Sequence, residues 1–184
     1  MGLFNLFKKK AKNEEIVEYS SETLEEWYQL GRNYEYGKNG VVKDVKQAIH
    51  WYTKAAERGH GKAQFNLGLC YYADAAYRDM NKMSYWFKKA VENSFRLPDD
   101  TLYSLLGDLH REKGNKSEAM YWYTKGADLN IAEAQYRLFE RYTLGDTVRE
   151  DLKKSQYWLR KAAANGHAPA IDMMNQLEKK GLLL

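Results

Sequence analysis

The chain has 184 residues, 44% of them hydrophobic, and a net charge of +4, which supplies enough apolar material for one folded domain and argues against extended disorder. Its 29 Lys and Arg are interleaved with 25 Asp and Glu, so the concentrated basic face typical of nucleic-acid binders is not expected. A single cysteine, Cys70, rules out an intramolecular disulfide, no Cys/His spacing fits zinc, and Cys70 reads as a small buried apolar residue.

The opening segment, MGLFNLFKKKAKNEE, places a short apolar run before its lysines, the reverse order of a secretory signal. No later stretch is long enough to span a bilayer, and the expected compartment is the cytoplasm. Leu3, Phe4, Leu6 and Phe7, followed by Lys8, Lys9, Lys10 and Lys12, could rest on an anionic membrane surface through residues 2–12. So short a segment anchors weakly, and residues 1–20 are read as a flexible, solvated tail. Leu6 stands where a myristoylation signal wants Ser or Thr.

Beyond the tail the sequence is periodic. Trp51, Trp86, Trp122 and Trp158 sit in the phrases HWYTKAA, YWFKKAV, YWYTKGA and YWLRKAA at intervals of 35, 36 and 36 residues, and a fixed period in this range marks stacked structural repeats. The first unit, about 24–60, predicts a helix through YQLGRNY (Tyr28 to Tyr34), a loop YGKNGVVKD with an Asn39-Gly40 turn, and a second helix capped at Asp44 with Gln47 three residues on. At 100° per residue Ala48, Tyr52, Ala55 and Ala56 share a broad apolar arc with Trp51, so the tryptophans read as a packing column. Gly59 stands where a left-handed residue would end the helix.

The second unit, 61–95, carries FNLGLCY and a second helix opening at Asp79; Ser94 occupies its stop position, with Asn93 as the better left-handed residue. An extended joint, SFRLPDD, places Pro98 in the opening turn of the next first helix. The third unit, 98–130, has SLLGDLH, a cap at Asn115 with Glu118, and Asn130 at the stop; the fourth, 131–167, has YRLFERY, a cap at Asp151 and Gly166 at the stop. A closing helix runs from Ala168 to about Lys180 within a cap 168–184, and residues 21–184 are expected to form one domain. Gly31, Gly68 and Gly107 would each cost about 1 kcal/mol in a helix interior, so their recurrence implies a close helix crossing; Phe139 takes that position in the fourth unit. Lys54, Lys89, Lys125 and Lys161 follow each Trp by three, and their stems are expected to lie along the indoles.

The strings LGRNY, GKNGVV, AIHWYTKAA and Gly59-His60 together resemble the Sel-one-like repeat (SLR) family, a relative of the tetratricopeptide repeats. Leu30 to His60 matches closely, whereas the third unit, with its short loop, is nearer an ordinary tetratricopeptide unit. The resemblance implies an all-α, right-handed α-solenoid of about four helix-turn-helix repeats plus a C-terminal capping helix, and a protein-binding scaffold as the usual role.

In related solenoids the first helices line the concave groove. The side chains lying off the buried Leu-Gly-Tyr face are then Tyr28, Arg32 and Tyr36; Phe65, Leu69 and Tyr72; Ser104, Asp108 and Arg111; and Tyr136 and Glu140. Tyrosine and arginine combine contact area with hydrogen bonding and so anchor protein interfaces. A clamp for a terminal carboxylate would want Lys, Asn and Arg in the groove; only Arg32 and Asn66 fit, while the third unit offers Thr101 and Leu105, so an internal segment or folded partner is expected. His50, His60, His110 and His167 are scattered, with His60 and His167 filling one recurring turn position, and no nucleophile and base stand at a motif spacing. The expectation is a cytoplasmic bacterial adaptor, monomeric or weakly dimeric, that binds another protein in its groove, with no enzyme activity, cofactor, metal or nucleic acid. The alternative is an immunity protein that neutralises a cognate toxin, and a distant alternative is a nucleic-acid binder or an enzyme. The end GLLL, Gly181 to Leu184, pads the final helix or marks self-association.

Overall fold

A computed structural model describes residues 20–182; the membrane-contact reading of residues 2–12 and the last two residues of the C-terminal end lie outside them. Among the described residues nine helices form: α1 (Ser21–Tyr36), α2 (Val45–Ala56), α3 (Gly61–Ala73), α4 (Met80–Glu92), α5 (Thr101–Glu112), α6 (Lys116–Asp128), α7 (Ala132–Leu144), α8 (Leu152–Ala164) and α9 (Ala168–Lys179). They divide into two compact units at the Leu97/Pro98 boundary. The first holds α1–α4 and the second α5–α9.

Short polar side chains start these helices by accepting backbone N–H groups that the first turn leaves without partners. Ser20 accepts from Thr23 at 3.2 Å, Asp44 from Gln47 at 3.0 Å, Asp79 from Asn81 and Lys82 at 3.0 Å each, and Asp151 from Lys154 at 3.0 Å. Asn115 occupies the cap position of α6 but makes no side-chain cap bond. Pro98 differs from expectation: α5 opens only at Thr101, with the Asp99 carboxylate accepting the Thr101 N–H at 2.9 Å, so the proline stays in the joint. The stop positions are left-handed in all four repeats: Gly59, Ser94, Asn130 and Gly166 have φ of 88°, 63°, 60° and 85°. Ser94 itself takes the strained conformation, because Asn93, at φ −89°, is occupied elsewhere.

In every repeat the side chain after the tryptophan is fully buried. Tyr52, Phe87, Tyr123 and Leu159 are 0%, 1%, 0% and 0% exposed, as is Trp122, whereas Trp51, Trp86 and Trp158 are only half-buried. The packing column is therefore displaced by one residue from the tryptophans. Its partner is the recurring glycine: a methyl group on Gly31, Gly68 or Gly107 would run into the ring of Tyr52, Phe87 or Tyr123. The fourth repeat exchanges the two sizes, with Phe139 on the first helix and the smaller Leu159 on the second, both in the cluster that also holds Ala162 and Ala170. Large against none becomes medium against large, and the interhelical space stays filled, as close packing requires. In the first unit the same logic gathers Tyr28, Tyr52, Leu67 and Cys70 around the small side chains of Ala48, Ala55, Ala56 and Ala63.

Candidate functional site

The first helices carry the candidate residues, and buried polar links fix how those helices lie. The Gln64 amide donates to the Ala56 carbonyl at 2.9 Å and accepts from Asn93 at 3.0 Å; Gln135 repeats this with Ala127 at 3.2 Å and Asn165 at 2.8 Å. Gln64 and Gln135 are 2% and 0% exposed, so each amide needs both partners. His60 Nδ1 accepts the Ala63 N–H at 3.1 Å while Nε2 meets Glu25 at 3.1 Å, and His167 does the same with Ala170 at 3.3 Å and Glu133 at 2.9 Å. The two histidines are helix caps that also reach back one repeat.

In the first unit, Tyr52 Oη donates to Glu35 at 2.5 Å and accepts from Asn66 Nδ2 at 3.1 Å; burial first, and the Glu35 bond second, raise the Tyr52 phenol pKa. Asn66 is thereby committed within the fold. Tyr28 lies between Tyr52 (5.9 Å) and His60 (5.0 Å), and Phe65 between Phe87 (5.2 Å) and Phe95 (5.4 Å). Both are 9% exposed; they are core residues, packed on rings of their own unit. Leu69 is half-buried and Arg32 is exposed, its guanidinium 5.9 Å from the Tyr28 ring centroid. Tyr36 and Tyr72, at the last turns of α1 and α3, keep 53% and 49% of their surface in solvent.

In the second unit the corresponding positions are paired. Asp108 accepts from Tyr123 Oη at 2.7 Å and meets Arg137 at 3.4 Å and Arg111 at 4.0 Å. Arg137 also contacts Glu133 and Glu140 at 3.1 Å each, and the 5% exposed Arg141 holds Glu140 at 3.3 Å and Asp146 at 2.7 Å. Burial works against the Arg137 charge, but the Asp108, Glu140 and Glu133 carboxylates outweigh it and hold its pKa above the ordinary value. Tyr136 is half-buried, stacked on His167 at 4.3 Å and tilted on Phe139 at 5.3 Å. Asp108, Arg111 and Glu140 thus belong to an ion-pair network, and Tyr136 to a ring stack. Arg137 and Arg141 escaped the sequence reading, although Glu133 and Glu140, four before and three after Arg137, gave the helical spacing of ion pairs.

The lysine column is also displaced. Lys54 Nζ lies 4.6 Å from the Trp27 and 4.5 Å from the Trp51 ring centroid, but Lys89, Lys125 and Lys161 lie over Tyr85, Tyr121 and Tyr157 at 5.9, 5.8 and 5.9 Å. Those tyrosines precede the tryptophans and stand one turn back from the lysines. Burial pushes the Cys70 thiol up to about 12, which removes it as a nucleophile near neutral pH. Among the described residues no group of three or more His, Cys, Asp or Glu stands together as a metal site, and no helix is long and apolar enough to cross a membrane.

The Sel1 repeat family model matches residues 28–60, 61–95, 103–131 and 132–167. A sel1-like repeat-containing protein of Acanthamoeba polyphaga mimivirus is 30% identical over 147 residues, 80% of this chain and 25% of that protein. Chitin synthase regulatory factor 3 of Schizosaccharomyces pombe is 29% identical over 153 residues, 83% of this chain and 13% of that protein. The chain therefore spans a quarter or less of these curated relatives. Among solved structures, a protective antigen of uropathogenic Escherichia coli displaying an SLR fold matches with a TM-score of 0.56 and 26% identity over 86% of this chain and 34% of that one. The all-α expectation of about four repeats and a C-terminal helix agrees with this likeness and with the nine helices.

Proposed function

The chain belongs to the Sel1 repeat family, and from that premise we propose that it is a non-catalytic protein-interaction module, a regulator that acts by holding a protein partner on its exposed first-helix face. The observation that carries this reading is the pair Tyr36 and Tyr72, half in solvent at the ends of α1 and α3. Tyrosines so placed offer large contact area and a hydroxyl at little conformational cost, which suits them to anchor an interface. Arg32 stands on α1 one turn from Tyr36 and is exposed, adding a donor fork to the same face. A relative named as a chitin synthase regulatory factor supports a regulatory role over a catalytic one.

The test compares tagged wild type with Tyr36→Ala/Tyr72→Ala in affinity capture from the source cells, alongside circular dichroism and thermal unfolding. Surface substitutions of this kind cost about 0.5 kcal/mol or less each, so the double variant is expected to keep its helicity and lose the partner. Equal capture by a folded double variant would overturn the assignment of the face.

A further inference from the structure

We propose that the recess at the end of α1 receives a carboxylate from an acidic segment of the protein partner, with Arg32 and Lys38 as its two cationic arms. This rests on the partner-binding reading above and names the chemistry of the partner. The recess, of about 180 Å³, is lined by Gln29, Arg32, Asn33, Tyr36, Lys38 and Asn39. Two cations and three amides line it, and among the described residues no acid does.

Neither cation is neutralised by a described carboxylate. On the first helices of the second unit, Arg111, Arg137 and Arg141 all have carboxylates within 4.0 Å. Arg32 and Lys38 have none among the described residues; their contacts are with rings, Arg32 over Tyr28 at 5.9 Å and Lys38 over Tyr36 at 5.6 Å. Glu35, three residues from each, is engaged by the Tyr52 hydroxyl; it also raises the Tyr36 phenol pKa, after burial, and does not line the recess. A charge that the fold leaves unpaired is available to a ligand, whereas one already held in a network must first be released.

The arms are also positioned in advance. Gly37 ends α1 in the left-handed conformation, φ 64°, with its N–H on the Asn33 carbonyl; the Lys38 N–H reaches the same carbonyl at 2.9 Å, and Asn39 Nδ2 donates to Asn33 Oδ1 at 2.9 Å. A side chain at Gly37 would crowd the Lys43 backbone, so the turn fixes the point from which the Lys38 side chain leaves the backbone. The carbonyl end of α1 carries roughly half a negative charge, which two whole positive charges outweigh. In so open a site water screens a free anion. The carboxylate must therefore arrive on a peptide whose neighbouring apolar atoms cover Tyr36, and the guanidinium fork of Arg32 can take it through two hydrogen bonds.

The test selects a random-peptide phage library on the protein and measures the affinities of the synthesised winners. Enrichment of Asp and Glu is expected, with a loss of about tenfold or more both when the peptide acid becomes an amide and when the protein carries Arg32→Gln/Lys38→Gln. Lys46→Gln/Lys116→Gln, which removes the same net charge from exposed lysines elsewhere, should bind like wild type. Winners without acidic enrichment, winners indifferent to the Arg32/Lys38 substitutions, or no winners would each overturn the proposal. Winners that need Tyr36 and Tyr72 but no acid would remove the carboxylate and leave the partner-binding face standing.

Discussion

Trp122 and Trp158 occupy equivalent places in their repeats, yet Trp122 is 0% exposed and Trp158 half-buried. Trp122→Ala should cost about 3–5 kcal/mol, the range for an aromatic ring lost from a filled core. Trp158→Ala should cost clearly less, since part of its ring never left water, and urea denaturation of the two variants will read the difference. A period of 36 residues shows that a position is repeated but carries no information about depth. Tryptophan draws the eye because it is rare, while the ring that fits against a bare backbone is the next residue, Tyr52, Phe87 or Tyr123. Tyr28 and Phe65 went inward for a related reason: their places on the helix are next to the glycine face, and whether a ring there turns to solvent depends on the size of its neighbours.

Between helices, the pairing of glycine with a ring is a constraint on two positions at once. Gly68→Phe should clash with Phe87 and destabilise the first unit, while Phe87→Leu alone should leave a cavity. Together they recreate the Phe139 and Leu159 arrangement, so the double variant should be more stable than the sum of the singles predicts, by about 0.5–3 kcal/mol of coupling. Strict additivity in a double-mutant cycle would show that the two positions do not share this space. At this scale much was legible, because caps and stops are local chemistry: Asp44, Asp79 and Asp151 accept N–H groups as their spacing implied. Pro98 was not, since its ring is compatible both with a helix's first turn and with the joint before it, and Asp99 capturing the Thr101 N–H decides between them.

Across the whole molecule, both units bury a tyrosine hydroxyl against a carboxylate, Tyr52 on Glu35 and Tyr123 on Asp108. Burial, then the carboxylate bond, raises both phenol pKa values above the ordinary value of 10. The neutral form is thus favoured on folding, so the stability it contributes is complete below about pH 10, the unfolded value, and is lost as pH rises beyond it. Unfolding free energy should fall steeply above about pH 10, and Tyr123→Phe should flatten that fall. An unaltered slope in alkaline denaturation would mean that other groups govern it. The repeat architecture was legible at this scale because four copies of one phrase vote together. The candidate face was legible only in part: Arg32, Tyr36 and Tyr72 reach solvent, whereas Asp108 pairs with Arg111 and Arg137 and Glu140 with Arg137 and Arg141, and the reach of Arg137 from α7 to Asp108 on α5 is one that no local spacing reveals.

The exchange of sizes in the fourth repeat also sets a rule for recombination. A chain that joined a glycine-bearing first helix to a second helix with leucine in the deep position would leave a ring-sized void, and Phe139 opposite an aromatic would not close at all. The part that can be shuffled among such proteins is therefore the matched hairpin, and a crossover inside its loop breaks a lock from its key.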